Sequence, residues 1–325
     1  MIPTLETDNR TFQAPWLILP EMYPEMIAKV RQPVPIMTDP SALLAYSGKT
    51  DEDLNYKLRG DVAIVNVTGG MTLHANHWSY YYRWSVYENL ALGLQQLLDN
   101  SRVKTIICVF DSPGGTVFGL EEMVDLIFMA RGKKRLIAFA QGYCTSAAYW
   151  IASAFDTVVA SKGSFLGSIG SKIQFEDWSA HERRMGIATH TYVSKQSPHK
   201  SPSPGTAKGD RLFQDVVDHT GSKFVTGVSR NRGVSEEIVL EKFGEGWFLQ
   251  SDKAVAVGSQ LIQHILKSHA NCTATNYANW YATSSGNSMP IKLQPVVPTG
   301  VQRNKWEQNY NRSSAPEIRF PVYKF

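Results

Sequence analysis

The sequence predicts an α/β protein built on a mostly parallel sheet. Between residues 61 and 160, short apolar runs typical of buried strands alternate with segments whose apolar residues recur at helical spacing. Strands joined through helices usually lie parallel, because the helix carries the chain back to the edge where the previous strand began. The chain has 325 residues, 43% of them hydrophobic, which is enough to bury a full core.

The predicted elements follow one another in a regular order. The strands are expected at 62–67, 104–111, 135–140 and 157–160, with helices at 85–100, 120–131 and 146–154. Further along, the pattern predicts a long amphipathic helix over 209–232. Ser235, followed by two glutamates, is expected to N-cap another helix, and a last helix is expected to begin at Ser251 and end near Gly258.

The two ends of the chain differ from this central part. Residues 1–60 are expected to be an N-terminal arm and linker, because six prolines between positions 15 and 40 discourage long elements. Within the arm we expect one short helix near 24–31 and a polar linker over 47–61. Residues 61–268 are expected to form the main domain, and 269–325 a basic, aromatic C-terminal extension that carries the whole net charge of +4.

Composition argues against several classes of protein. A net charge of +4 is too small to indicate a nucleic-acid partner. The N-terminus lacks the basic and apolar regions of a secretory signal, and the uncharged run 136–155 contains polar residues, so we interpret it as buried core and expect no membrane span. Three cysteines without ligand spacing fit a reducing, cytoplasmic compartment, and neither a metal nor another cofactor is expected.

Three segments at the ends of predicted strands could carry chemistry. The run 111–115 is a turn whose N–H groups could donate to an oxyanion, or only a plain strand–helix connection. The run 142–149 places Ser146 at the start of a helix, as a nucleophile or only as an N-cap. The run 163–170 is rich in Gly and Ser, and the polar run 194–200 with its two lysines comes later; both could be ordinary loops.

Taken together, these segments resemble the signal peptide peptidase A family of serine peptidases, and most closely its branch of bacteriophage capsid proteases. The resemblance covers residues 61–268 and implies a Clp/crotonase-like superhelix of ββα units with a mostly parallel sheet. The matching motifs are DSPGG at 111–115, SAAYWIASAFD at 146–156, GSIG at 167–170, HK at 199–200 and FGEGWFLQSDKAVAVGSQ from Phe243.

The resemblance also implies a role for each matching residue. Ser146 corresponds to the nucleophile, Lys200 to the general base, and Ser168 to the serine that orients the lysine. The oxyanion hole is expected from the N–H of Gly114 or Gly115 together with that of Ala147. These residues would make the chain a serine endopeptidase with a Ser-Lys dyad, acting through an acyl-enzyme in phage capsid maturation or in cytoplasmic protein processing.

Several alternatives stay open at this point. Lys195 could be the base instead of Lys200, whereas a Ser-His-Asp mechanism would need His181 or His199, both in polar segments. A crotonase-like acyl-CoA enzyme or an inactive scaffold could share the fold. Because a lysine acts as a base only when it is neutral, and so buried, the polar loop around Lys200 predicts a homo-oligomer with sites near its interfaces. A polypeptide substrate is expected, with a capsid or scaffold protein as a further partner.

Overall fold

A ten-stranded, mostly parallel sheet forms the centre of the fold. The computed structural model describes residues 16–18, 56–76, 79, 82–256 and 264–265, all within the first of two units, Met1–Pro290. The strands are β1 Trp16–Ile18, β2 Tyr56–Arg59, β3 Val62–Thr72, β4 Ser85–Val86, β5 Thr105–Thr116, β6 Arg135–Thr145, β7 Thr157–Ala160, β8 Phe165–Gly167, β9 Phe248–Gln250 and β10 His264–Ile265.

The path of the sheet runs β10-β7-β6-β5-β3-β2, and every neighbouring pair in it except β3/β2 is parallel. Four strands join it off this path. β4 pairs parallel with β3, and β8 pairs parallel with β6. β9 pairs antiparallel with β8, and β1 pairs antiparallel with β5. The predicted α/β class with a mostly parallel sheet is therefore confirmed.

Seven helices are present in the described residues, and several begin or end where the sequence indicates. They are α1 Tyr87–Asp99, α2 Leu120–Ala130, α3 Ala147–Ser153, α4 Ser179–Arg184, α5 Ala207–Arg232, α6 Glu236–Lys242 and α7 Ser251–Ala256. Thr206 N-caps α5 by accepting the N–H of Gly209, and Gly233 ends it in the left-handed conformation. Ser235 accepts the N–H of Ile238, so its predicted capping of α6 is confirmed.

The sheet is buried on both faces. In β3, β5 and β6 alternate side chains contribute to two separate apolar clusters, as the two-residue period of a strand requires. The larger cluster includes Val65, Phe110 and Ala138 and packs against α1, α2 and α3, whereas the smaller one includes Ile64, Ile107 and Phe139. Most of the uncharged run 136–155 lies in this core as expected, although Gln141 is exposed. None of the described helices is both long and apolar enough to cross a membrane.

Two predictions about the connections were wrong. The motif at 111–115 was expected to be a turn, but β5 continues through it to Thr116, because Gly114 and Gly115 still pair with β3. Part of the predicted linker is also regular, since Tyr56–Arg59 pairs with β3 as a hairpin closed by Gly60 at φ +62°. The predictions for 24–31, Gly258 and 269–325 lie outside the described residues.

Candidate active site

Ser146 lies between the end of β6 at Thr145 and the start of α3 at Ala147. Its backbone has φ 56° and ψ −127°, a conformation that residues other than glycine rarely adopt. Such strain persists only where the surrounding structure holds it, and it is concentrated at functional sites. The junction therefore marks Ser146 as unusual on backbone geometry alone.

The hydroxyl of Ser146 is buried without a partner. The residue is 1% exposed, and within the described part of the chain no group lies within hydrogen-bonding distance of its Oγ. The side chain also makes no capping bond to α3, so the interpretation of Ser146 as a simple N-cap was wrong. A buried polar atom without a bond costs free energy, so its presence needs an explanation other than stability.

The backbone of Ser146 is held by β8. Its N–H donates to the carbonyl oxygen of Gly167 at 2.7 Å, and Thr145 and Gly167 are register partners in the β6/β8 pair. Gly167 has φ 101° and Ser168, the next residue, has φ 54°, so the chain turns sharply here. The N–H of Ser168 donates to the carbonyl oxygen of Trp247 at 2.8 Å, which ties this turn to the loop before β9. Ser168 is buried and directly follows Gly167, the residue whose carbonyl oxygen accepts the N–H of Ser146.

Helix α3 is fixed from its side by α5. The ring of Trp150 stacks on that of Phe224, with ring centroids 4.8 Å apart and planes 12° apart. Opposite Trp150 lies Gly227, where an added Cβ would come within 2.3 Å of the indole Nε1. Asn231 of α5 donates to the hydroxyl of Ser153 at 2.9 Å. These contacts leave α3 little freedom to shift, which keeps Ser146 in place.

The C-terminal end of α3 is capped by two arginines. The Arg131 guanidinium donates to the carbonyl oxygens of Ser153, Ala154 and Phe155 at 3.0, 2.7 and 2.8 Å. Buried Arg232 lies at the same end, 3.5 Å from two of these oxygens. Burial lowers the pKa of both guanidinium groups, and for Arg131 the neighbouring Arg232 lowers it further. The last carbonyls of a helix carry partial negative charge, which explains why two cations collect there.

The end of β5 supplies the glycines of the predicted oxyanion hole. Ser112 donates its hydroxyl to the carbonyl oxygen of Gly69 at 2.7 Å and accepts the N–H of Gly114 at 3.2 Å. Gly115 lies so close to β3 that an added Cβ would be 2.1 Å from the carbonyl oxygen of Met71. Only glycine fits at position 115, because the two backbones are in contact there.

A second close approach joins β5 to β6 just before Ser146. The carboxylate of Asp111 accepts the N–H of Tyr143 at 3.1 Å. An added Cβ on Gly142 would lie 2.2 Å from the same carboxylate, so glycine is needed there. Ser112 and Cys144 are the last register partners of the β5/β6 pair. Beyond that pair, β6 separates from β5 and leads into Ser146.

The thiol of Cys144, close to Ser146 in the chain, is buried and unreactive. It is fully buried two residues before Ser146, and burial raises the pKa of its thiol, as it does for Cys108. A thiol that stays protonated is unreactive, so both cysteines have the packing role that the sequence predicts.

Neither candidate lysine base reaches Ser146 within a single chain. Lys195 and Lys200 are exposed, and neither amino group lies within hydrogen-bonding distance of the Ser146 hydroxyl. His181 and His199 are exposed as well. The structure thus brings together Ser146, Ala147 and Ser168 at one junction beside the β5 end, with Lys200 apart from them on a surface segment.

Sequence reasoning missed three features of this site. The Gly167 carbonyl, the Trp247 carbonyl and the Asp111 carboxylate are all acceptors contributed by residues far away in the chain. In the sequence, only Gly142 and Gly167 indicated that another segment of the chain comes close to the backbone at these positions. Within the described residues, no group of three or more His, Cys, Asp or Glu is placed to hold a metal ion.

Three relatives are each similar to this chain over half of its length or more. A putative protease of Methanocaldococcus jannaschii is 28% identical over 51% of this chain and 53% of its own length. Capsid assembly protease C of Escherichia phage lambda is 26% identical over 62% of this chain and 47% of its own length. A putative signal peptide peptidase of Enterococcus faecium is 26% identical over 53% of this chain and 51% of its own length. The chain thus spans about half the length of each.

A solved structure and a family model also match. A ClpP1 mutant from Listeria monocytogenes is similar at a TM-score of 0.38 and 13% identity, over 63% of this chain and 92% of that one. The model of peptidase family S49 matches residues 129–277, which contain Ser146, Ser168 and both candidate lysines. The predicted resemblance to the signal peptide peptidase A family is therefore confirmed by the match of residues 129–277 to peptidase family S49 and by these relatives.

Proposed function

We propose that the chain is a serine endopeptidase in which Ser146 attacks the peptide carbonyl and forms an acyl-enzyme. One observation carries this proposal: a buried serine hydroxyl without a partner, on a strained strand–helix junction, inside the segment that matches a peptidase family. A hydroxyl kept free of hydrogen bonds is available to a base and a substrate. We keep residues 61–268 as the proposed catalytic domain, between an arm (1–60) and an extension (269–325).

The proposed oxyanion hole lies between the β5 end and the start of α3. The first N–H groups of a helix have no acceptor within the helix, and Ala147 is the first residue of α3. On the β5 side, Ser112 already accepts the N–H of Gly114, so the N–H of Gly115 is the better second donor. Two donors directed at the oxygen of the tetrahedral intermediate would stabilise its negative charge.

We propose that Lys200, oriented by Ser168, is the base and that it acts on Ser146 of a neighbouring copy in a homo-oligomer. Lys195 is the alternative, since both lysines lie on one exposed segment. That segment also exposes large apolar side chains, with Trp178 at 52%, Met185 at 66% and Tyr192 at 90%. Such a concentration is typical of surfaces that another chain covers. Burial between copies would supply the low-dielectric surroundings in which a lysine amine loses its proton.

The proposed substrate is a polypeptide that adds as an extended strand to the end of β5. One relative is named a capsid assembly protease. We therefore propose processing of a capsid or scaffold protein, or of another cytoplasmic protein, as the biological role. We expect self-cleavage within residues 1–60 or after residue 270 if the chain matures a capsid, and mass spectrometry of the purified chain reads this directly.

The nucleophile is tested by labelling with a fluorophosphonate, which reacts with activated serines. The wild-type chain should label and Ser146→Ala should not. Ser153→Ala is the matched control, because Ser153 is also buried on α3 but its hydroxyl is bonded to the Trp150 carbonyl. Labelling that survives in Ser146→Ala, or that is absent from the assembled wild-type chain, would overturn the proposal.

Mixing subunits tests which lysine is the base and whether it acts on Ser146 of its own chain or of a neighbouring copy. Lys200→Met and Ser146→Ala chains should each be inactive, with peptide cleavage reduced at least about 100-fold. Assembled together, they should regain cleavage, because a mixed interface can pair an intact Ser146 with an intact Lys200. Lys195→Met is the control for the lysine. Loss of activity in Lys195→Met but not in Lys200→Met would show that Lys195 is the base. A mixture that stays inactive would show that the lysine and the serine of one active site come from the same chain.

A further inference from the structure

We propose that the chain carries its own competitive inhibitor: the segment Trp16–Ile18, β1, occupies the strand position that a peptide substrate would take beside the proposed site. This inference rests on the proposed function, because it takes the end of β5 as the substrate edge. It goes beyond that function in assigning a role to a part of the N-terminal arm.

The edge of β5 that β1 occupies is the one that faces the Ser146 junction. On its first edge, β5 pairs with β3 from Thr105 to Asp111 and, after a shift in register, again at Gly114 with Gly70 and at Gly115 with Met71. On its second edge β5 pairs with β6, but only as far as Ser112 with Cys144. A strand has two hydrogen-bonding edges in the plane of its sheet, so residues 114–116 are left with the second edge unpaired by β6.

β1 pairs with this vacated stretch. Trp16 is the register partner of Thr116, Leu17 of Gly115 and Ile18 of Gly114. β6 separates from β5 after Cys144 and reaches Ser146 two residues later. β1 therefore pairs with β5 just beyond the point at which β6 separates from it. A peptide that bound this edge for cleavage would need the same backbone groups of Gly114, Gly115 and Thr116. The two strands therefore exclude each other.

The sequence of this segment suits a bound peptide. The apolar run Trp16–Leu19 lies between Pro15 and Pro20, which have no N–H to donate to a sheet. The prolines thus limit backbone pairing to the residues between them. β1 is also antiparallel to β5, whereas β3 and β6 are parallel to it, so β1 joins the edge independently of the crossovers that build the sheet.

Tethering makes even a weak strand an effective competitor. A segment joined to its site by flexible chain has an effective concentration of about 1 mM. If the free peptide binds with a Kd of about 0.1 mM, the apparent affinity for an external substrate falls about tenfold. Release of β1 should therefore lower the KM and leave kcat unchanged.

The experiment uses the full chain with prolines placed in β1. In a Ser146→Ala background, the triple variant Trp16→Pro, Leu17→Pro, Ile18→Pro should bind a fluorescent peptide of residues 12–22 about tenfold more tightly than the parent, measured by anisotropy. The matched control places three prolines just outside β1, at Thr11, Phe12 and Gln13, and should bind like the parent. Deletion of residues 2–20 should have the same effect as the triple variant without adding prolines.

The outcomes separate this inference from the proposed function. If neither the triple variant nor the deletion binds the peptide more tightly than the parent, β1 does not compete and the inference is overturned. Fluorophosphonate labelling of the same variants, now with Ser146 intact, then tests separately whether Ser146 is an activated nucleophile. Tighter peptide binding without labelling would leave β1 as the occupant of a strand-binding site and would remove the catalytic role of Ser146.

Discussion

The backbone N–H of Ser146 donates to the carbonyl oxygen of Gly167 over 2.7 Å, which joins the start of α3 to the end of β8. This bond holds the one residue of the junction that carries both backbone strain and an unpartnered hydroxyl. The conformation of Ser146 is therefore set by β8 and the turn that follows it, rather than by its own preference.

Gly167→Ala should reduce fluorophosphonate labelling of Ser146 about tenfold or more. Gly167 has φ 101°, and an added Cβ would lie 3.2 Å from the carbonyl oxygen of Phe243, so alanine would rotate the peptide group that accepts the Ser146 N–H. Gly170→Ala is the control, because nothing lies within 4 Å of its added Cβ. Equal labelling rates for the two variants would show that this bond does not position Ser146.

Gly115→Ala should destabilise the fold by about 3 kcal/mol or more. The added Cβ would lie 2.1 Å from the Met71 carbonyl oxygen, and backbone cannot move aside as a flexible side chain would. Gly163→Ala, which meets nothing within 4 Å, should leave the free energy of unfolding nearly unchanged. Urea denaturation of the two variants measures this difference, and similar midpoints would contradict the tight β3/β5 approach.

Arg131→Met should cost about 2 to 4 kcal/mol of stability, because the carbonyl oxygens of Ser153, Ala154 and Phe155 at the end of α3 lose their short hydrogen bonds, and two of them keep only the 3.5 Å bonds from Arg232. Lys133→Met removes a cation from an exposed site in the same loop and should have little effect. Thermal unfolding monitored by circular dichroism distinguishes them. If the two variants unfold at the same temperature, the hydrogen bonds of Arg131 contribute no net stability.

The two buried cysteines should resist thiol reagents until the protein unfolds. In a Cys272→Ser chain only Cys108 and Cys144 remain, and burial raises the pKa of both above the ordinary value of 9.0. Labelling by an iodoacetamide dye should therefore be negligible from pH 7 to 9 without denaturant and complete with it. Fast labelling of the native chain would contradict their burial.

The raised pKa values of these two thiols also determine whether the free energy of unfolding rises or falls with pH. A thiol whose pKa is higher in the folded chain than in the unfolded chain favours folding below pH 9.0, where both forms hold the proton. Above that pH the unfolded thiols ionise while the buried ones do not. The free energy of unfolding should decrease as the pH rises past 9, and less so in a Cys108→Ala, Cys144→Ala chain.

The sequence predicted those features that depend on local periodicity. The helices around Leu90, Val124 and Phe224 and the strand 157–160 could be located because each has an apolar face or run. The position of Ser146 followed from a strand, a run of small residues and a helix in succession, and the family motifs implied the role that we propose for it. Cys144 was assigned to the core for the same reason of local composition.

Other features depend on contacts between distant residues and could not be predicted in this way. The extension of β5 through Gly114 depends on pairing with Gly70, 44 positions earlier, and proline and glycines gave the opposite local signal. β1 pairs with residues about 100 positions later, so no local pattern could place it. The position of Lys200 in a polar loop correctly predicted that it is exposed in one chain. The burial of Lys200 by a second copy, which we propose, depends on contacts between chains and could not be predicted from a local pattern.

The contact between Trp150 and Gly227 restricts how this protein can vary. Because there is no room for a Cβ opposite the indole, a larger residue at 227 can be accommodated only if a smaller one replaces the tryptophan. Substitutions at these two positions, 77 apart in the chain, should therefore occur in pairs in natural or selected variants that keep the serine's helix in place.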